Sequence, residues 1–279
     1  MYPILFTIGG WSVPSYDVAM VLWMVVPLYL ALRLNKSLPK PYPITAMATV
    51  WGFGLGLLCS KLYFIIQYES IWYFYRALFF WKGGLVIYGG IIGGILGFSL
   101  YFRYKKVPVL AGLDIVFVYS PLGQAIGRVG CLMAGCCTGT RTDLPWGIRF
   151  PQSTNVFSEQ YTDGLLDNDA LVSLPVHPTQ IYAIIGKLLL FFFLRWMYDR
   201  KQHNGVVFLL YLTLYGGLRA ITESFRGDSL RSVFGILTVS QVIGICVFVL
   251  GLISYFTLRA TLWRDAGTNA AEADAGSTR

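Results

Sequence analysis

Residues 112–132 read GLDIVFVYSPLGQAIGRVGCL. A helix needs about 20 mostly apolar residues to cross the hydrocarbon core of a bilayer. This run is long enough and apolar enough, yet it carries Asp114 and Arg128. It continues into GRVGCLMAGCC at 127–137, an arginine between two glycines followed by three cysteines. If the run spans a membrane, a permanent cation sits where lipid should be. That conflict sets the two questions of fold and function.

Outward from this stretch the same pattern repeats. Apolar runs occupy 14–33, 44–66, 84–102, 112–132, 178–198, 205–224 and 235–258. They are continuous rather than alternating, which predicts helices and not the strands of a barrel. The chain is 56% hydrophobic and only 13% charged, a shortage of charge that water would not tolerate in a compact domain. The expected fold class is an all-α integral membrane protein with seven transmembrane helices.

Basic residues alternate between the loops. Arg33, Lys36 and Lys40 follow the first run, Arg103, Lys105 and Lys106 the third, Arg200 and Lys201 the fifth, and Arg259 and Arg264 the last. The other loops carry acids: Glu69 in one, and Asp143, Glu159, Asp163, Asp167 and Asp169 in another. The positive-inside rule then puts the N-terminus out and the C-terminus in, with an external loop subdomain at 138–177. Trp11, Tyr16, Trp72, Tyr73, Tyr75 and Trp81 gather near span ends, as interfacial anchors do. The membrane domain is expected to run over 1–264, with no cleaved signal peptide and a disordered cytoplasmic tail at 265–279. The net charge of +8 reads as loop charge that sets topology, not as a nucleic-acid surface.

The glycine-rich run GGLVIYGGIIGGILG at 83–97 admits close helix packing, or a backbone that lets a ligand approach. Charged residues inside spans cost of order 2.5–3.5 kcal/mol each on insertion scales. Asp17, Lys61, Asp114, Arg128, Lys187, Arg219 and Glu223 all fall in runs. Lys187 and Asp114 are near enough to span ends to reach water; Arg128, Arg219 and Glu223 are not. In YGGLRAITESFRGD at 215–228, Arg219 and Glu223 share a helix face and Arg226 follows one turn later. They form either a structural ion pair or a polar cavity for an anionic head group. One carboxylate does not neutralise three arginines, which favours the second reading. Guanidinium groups match phosphate oxygens in a bidentate fork, and phospholipid phosphate is the obvious anion in a membrane. In LPVHPTQIYAIIGK at 174–187, His177 stands at a helix start, as a cap or packing residue or as a substrate contact.

Taken together, Tyr16, GGLVIYGGIIGG, GRVGCLMAGCCTG, HPTQIY and GGLRAITESFR, in this order, resemble the prolipoprotein diacylglyceryl transferase family over nearly the whole chain. The resemblance implies seven spans in a bacterial cytoplasmic (inner) membrane. It also implies transfer of the diacylglyceryl moiety of phosphatidylglycerol to a cysteine of a secreted prolipoprotein, with no cofactor and no resident metal. Residue by residue, it implies catalytic roles for Arg128, Arg219, Glu223 and His177, with Tyr88 the positional substitute where the family has a histidine. Substrate contacts are implied for Tyr16, Arg128, Gly139, Tyr182, Arg219 and Arg226. The family signature G-R-x-G-N-x-x-N-G-E departs here at Cys131, Ala134 and Cys136; Tyr88-Gly89-Gly90 replaces H-G-G, and Ala183 replaces a Glu. The base for the acceptor thiol would then be Tyr88, His177, Glu223 or water. Cys131, Cys136 and Cys137 stay open between packing residues, reactive thiols beside Arg128, and a Cys3His metal site with His177. Alternative functions are transfer of a lipid-derived group to another acceptor, and a non-enzymatic transporter or lipid-binding scaffold.

Overall fold

The computed structural model describes residues 4–68, 87–226, 232–233 and 237–258. Glu69, Trp72, Tyr73, Tyr75, Trp81, residues 83–86 of the glycine run, Arg259, Arg264 and the tail 265–279 lie outside them, as do the side chains of Trp11 and Tyr88. The helices are α1 (Ser15–Lys36), α2 (Met47–Tyr68), α3 (Ile87–Tyr104), α4 (Val109–Phe117), α5 (Ser120–Ala134), α6 (Asn155–Thr162), α7 (Thr179–Arg200), α8 (Val206–Glu223) and α9 (Val239–Leu258). Two short hairpins join them: β1 (Ile4–Ile8) with β2 (Trp11–Pro14), and β3 (Ser232–Val233) with β4 (Leu237–Thr238).

Six helical stretches among the described residues have the length and apolarity to cross a membrane: Ser15–Lys36, Met47–Ile66, Val109–Ala134, Thr179–Arg200, Val206–Glu223 and Val239–Leu258. The chain therefore has the helical character of an integral membrane protein. α3 occupies the third expected run but is not one of the six. Two local expectations are corrected. The run at 112–132 begins earlier and is interrupted, with Val118 and Tyr119 in a turn between α4 and α5. The last helix starts at Val239 rather than 235, because Leu237 and Thr238 pair with Ser232 and Val233. The chain near its N-terminus forms a hairpin, turned by Gly9 and Gly10 with φ of 57° and 87°. Paired left-handed residues are what a tight two-residue hairpin turn requires, and Gly-Gly supplies them without strain.

The chain forms two compact units, Pro27–Tyr119 and Met1–Val26 with Ser120–Arg279. In the first, α2 and α3 pack along glycines. A Cβ at Gly93 would sit 2.5 Å from the Leu55 carbonyl oxygen, and one at Gly89 or Gly97 would fall against the backbone of Cys59 or Trp51. Residues four apart share a helix face, so the spacing 89, 93, 97 makes one seam. For its described part, the glycine run packs helix on helix. Tyr101, buried, meets the Thr45 hydroxyl at 3.0 Å and accepts the Thr45 amide at 3.1 Å, pinning the approach to α2. Lys61 and Asp114 are also buried in this unit, and each has a partner there or beyond. Asp114 is thus sequestered, against the expectation that it reaches water.

In the second unit α8 and α9 meet at Gly216 and Gly244, where a Cβ on either would lie 2.6 or 2.8 Å from the other's carbonyl oxygen. The buried residues of α9 are Gly244 and Gly251, while Leu250 and Ile253 are 61% and 56% exposed. Small residues inside and large apolar ones outside is the arrangement lipid permits. The α9 N-terminus carries a capping box: the Thr238 hydroxyl accepts the Gln241 amide at 3.1 Å, and the Gln241 side chain accepts the Thr238 amide at 2.8 Å. The segment between α5 and α7 has its own small core of Phe150, Val156 and Val176.

Candidate active site

The end of α8 supplies the first part of the site. Arg219 and Glu223, four residues apart, form an ion pair with 2.8 Å between Nη1 and Oε2. Arg226, one turn on, brings Nε to 3.7 Å from the same oxygen. Glu223 is 5% exposed, and Oε2 accepts no aligned hydrogen bond despite these distances. Arg219 also donates to the Ser240 hydroxyl on α9 at 3.2 Å, so the α8–α9 seam fixes the guanidinium from a second side.

Arg128 comes from α5. Its neighbouring glycines let α1 approach: a Cβ at Gly130 would lie 2.6 Å from the Ala19 Cβ and 3.6 Å from the Tyr16 ring, and one at Gly127 would touch Met20 and Trp23. Tyr16 consequently stands within electrostatic reach of Arg128 and of all three signature cysteines. Arg128 is half-buried, and among the described residues it makes no ion pair with a carboxylate. Lys187 is buried on α7, with Nζ 6.0 Å from the Tyr215 ring centroid, and it feels the charges of Arg128, Arg219 and Arg226. Sequence reasoning had Lys187 reach water from a span end. The structure instead buries it beside the arginines, a placement visible only once α5, α7 and α8 are assembled.

The loop after α5 supplies the thiols. The Sγ atoms of Cys131, Cys136 and Cys137 lie within 4.8 Å of one another. Gly135 and Cys137 both adopt left-handed backbone, at φ 66° and 56°. For cysteine that is an uncommon, strained conformation. It is held from outside the loop: the Thr179 hydroxyl donates to the Cys137 carbonyl and the Gln180 amide to the Cys136 carbonyl, both at 2.8 Å. Gln180 is fully buried, and its Oε1 has no hydrogen-bond partner among the described residues. Hydrogen bonds from the Cys131 and Cys136 thiols hold the Cys137 thiol well below the usual range, and the charges of Arg128 and Arg226 add to the effect. The converse falls on Cys136, whose thiol is pushed up because its neighbours' sulfurs favour its protonated form.

His177 and Tyr182 frame the site. His177 Nδ1 lies 3.2 Å from the Tyr182 hydroxyl, which accepts the Trp146 indole N–H at 2.9 Å. Both rings pack on Phe225, with centroids 5.5 and 5.7 Å away. Gly139 closes the ring of contacts. Its amide donates to the His177 carbonyl at 2.9 Å, and a Cβ there would lie 2.5 Å from both the His177 Cβ and the Phe225 carbonyl oxygen. Among the described residues the thiol group contains three cysteines and not His177, so the Cys3His grouping does not form. Trp146 and Ser240 had no sequence signal; Thr179 and Gln180 were inside the HPTQIY motif, but their carbonyl partners lie 42 and 44 residues away.

Tyr16, Arg128, the three cysteines, Gly139, His177, Tyr182, Arg219, Glu223 and Arg226 all belong to the second compact unit. Tyr88 belongs to the other.

The sequence model of the family described as prolipoprotein diacylglyceryl transferase matches residues 3–257. Relatives named phosphatidylglycerol–prolipoprotein diacylglyceryl transferase include one from Clostridium tetani, 35% identical over 256 residues, covering 90% of this chain and 96% of its own. One from Clostridioides difficile is 30% identical over 260 residues, covering 91% and 94%. A third, from Thermotoga maritima, is 30% identical over 264 residues, covering 92% and 85%. The expected resemblance is borne out, and the chain belongs to the prolipoprotein diacylglyceryl transferase family.

Proposed function

We propose that this chain is a membrane transferase that moves the diacylglyceryl group of phosphatidylglycerol onto a cysteine thiol of a secreted prolipoprotein. The observation that carries the reading is Arg128: a half-buried guanidinium with no carboxylate partner among the described residues, alongside Arg219 and Arg226, which share the one carboxylate of Glu223. An anion supplied by the substrate completes that charge balance. Arg128 and Arg219 bind the lipid phosphate, and Glu223 and Ser240 set the angle of Arg219. Arg226 and Tyr16 border the same space, and His177, Tyr182 and Gly139 shape its mouth.

In the reaction the acceptor sulfur attacks the glyceryl carbon bonded to phosphate oxygen. A C–S bond forms, the C–O bond breaks, and glycerol 1-phosphate departs with the electron pair. Charge grows on the leaving phosphate, where the arginines are already fixed, so they stabilise the transition state more than the substrate. Tyr88, whose side chain lies outside the described residues, remains a proposed base alongside His177 and Glu223.

The matching topology has seven spans in the bacterial inner membrane, with the N-terminus and the 138–177 subdomain outside. The membrane domain covers 1–264 and the tail 265–279 is cytoplasmic. Purified protein given labelled phosphatidylglycerol and a peptide with a lipoprotein-type cysteine should yield thioether-linked peptide and glycerol 1-phosphate. Lipid left intact in the presence of peptide overturns the proposal.

A further inference from the structure

Three sulfurs within 4.8 Å of one another are a donor set as well as a packing cluster. Tetrahedral zinc with Zn–S bonds of about 2.3 Å places its sulfurs about 3.8 Å apart. Modest side-chain rotation at Cys131, Cys136 and Cys137 would close the set onto such an ion. No fourth histidine, cysteine, aspartate or glutamate joins the group among the described residues. Structural zinc sites are closed by four protein ligands, whereas catalytic sites keep three and leave one position open. The backbone that carries the thiols is held from outside its own loop. Cys137 is held in left-handed conformation by side chains from α7, with the Gln180 amide on one carbonyl and the Thr179 hydroxyl on the next. Such outer contacts orient metal ligands and are worth much of a site's affinity. Zinc with three thiolates carries a net charge of about −1, and the guanidiniums of Arg128 and Arg226 act electrostatically on this spot.

We propose that Cys131, Cys136 and Cys137 bind one zinc ion with an open fourth position, and that the acceptor cysteine of the protein substrate fills it. This rests on the transfer reaction proposed above and names how its thiol is activated. Sulfur bound to zinc is deprotonated outright, its proton passing to water. The bound sulfur then attacks the glyceryl carbon as the C–O bond to phosphate breaks, so no side-chain base is needed in the place of Tyr88. The ion would stand next to Arg128, which holds the leaving group, bringing nucleophile and phosphate to one side of the cluster. This departs from the sequence expectation of a metal-free site.

The test uses the full chain in detergent, purified under reducing conditions without chelator. Metal analysis should find about one zinc per chain. Cys131→Ser, Cys136→Ser and Cys137→Ser should each cut zinc affinity by more than the roughly 10–100-fold that an outer contact is worth, and Gln180→Ala by about that amount. In cobalt-loaded wild type, a cysteine peptide should strengthen the sulfur-to-cobalt charge-transfer band, and its serine analogue should not; this readout does not depend on the variants folding. Equal zinc in wild type and all three serine variants overturns the inference, as does a cobalt spectrum unmoved by saturating cysteine peptide. Undiminished transfer by zinc-stripped enzyme sinks the zinc inference and leaves the transferase reading standing. Zinc and peptide thiol both bound, with phosphatidylglycerol untouched, supports the metal site and sinks the transferase reading instead.

Discussion

The α2–α3 seam and the thiol–arginine end of the other unit are both rich in glycine, but glycine does opposite work in them. At Gly89, Gly93 and Gly97 the missing side chain admits a neighbouring backbone. At Gly127 and Gly130 the missing side chains admit α1, and the residue between them is Arg128. At Gly139 the close approach of His177 and Phe225 draws the cysteine loop, the HPTQIY segment and the end of α8 together. The first region lowers the energy of the fold. The second brings together cations that repel one another, a configuration that folding alone does not reward.

The strongest way to break this contrast is Arg128→Ala. It should lower transfer about 10²–10³-fold, the cost of losing a charge donor aimed at a developing oxyanion. The amount of folded protein in membranes should stay near wild type. Folded protein lost in proportion to activity would put Arg128 in the structural class with the seam.

Thiol titration sharpens the contrast next. An ordinary thiol loses roughly a hundredfold in thiolate between pH 8 and pH 6. The Cys137 value is lowered, so its thiolate persists through that window and disappears only as pH falls through the lowered value. In metal-stripped protein, alkylation mapped by mass spectrometry should therefore hold nearly steady at Cys137 down to pH 6, while Cys136, whose value is raised, stays protonated throughout. Steep loss of Cys137 labelling over that range would show that the trio does not share its proton as described.

Gly97→Leu should do the reverse of Arg128→Ala. Overpacking typically costs about 1–3 kcal/mol, and here the obstacle is the Trp51 backbone rather than a side chain free to rotate. Thermal unfolding in detergent should come at lower temperature, with the activity per folded molecule unchanged. A stable variant with altered lipid affinity would return the glycine run to its other reading, a surface for ligand. The smallest effect is expected of Tyr182→Phe. It removes the acceptor for Trp146 and the contact to His177, worth about 0.5–1.5 kcal/mol in a neutral hydrogen bond. Transfer should fall by a few-fold, seen as a higher KM for peptide if this trio shapes the mouth of the site.

Much of this was legible in the chain. The apolar runs predicted the helices to within a few residues, because an apolar face or cylinder must be written into consecutive residues. Arg219, Glu223 and Arg226 could be grouped because helical spacing puts them on one side. Less legible were the turns at Gly9-Gly10 and Val118–Tyr119, where a short hairpin or a break hides inside an apolar stretch. Lys187 was misjudged because distance from a span end says nothing about which helices stand in the way.

The sequence by itself determined that lipid is the solvent, where the long helices run, and which charges lie within them. Shortage of charge and the length of apolar runs are properties of composition and local order, so no fold is needed to read them. Only the tertiary structure decided which glycines serve as seams, that Lys187 joins the arginines, and that three cysteines converge under the hold of Thr179 and Gln180. Those facts depend on contacts between residues some 40 positions apart. Helical periodicity names the face a residue is on, but not the partner that will meet it.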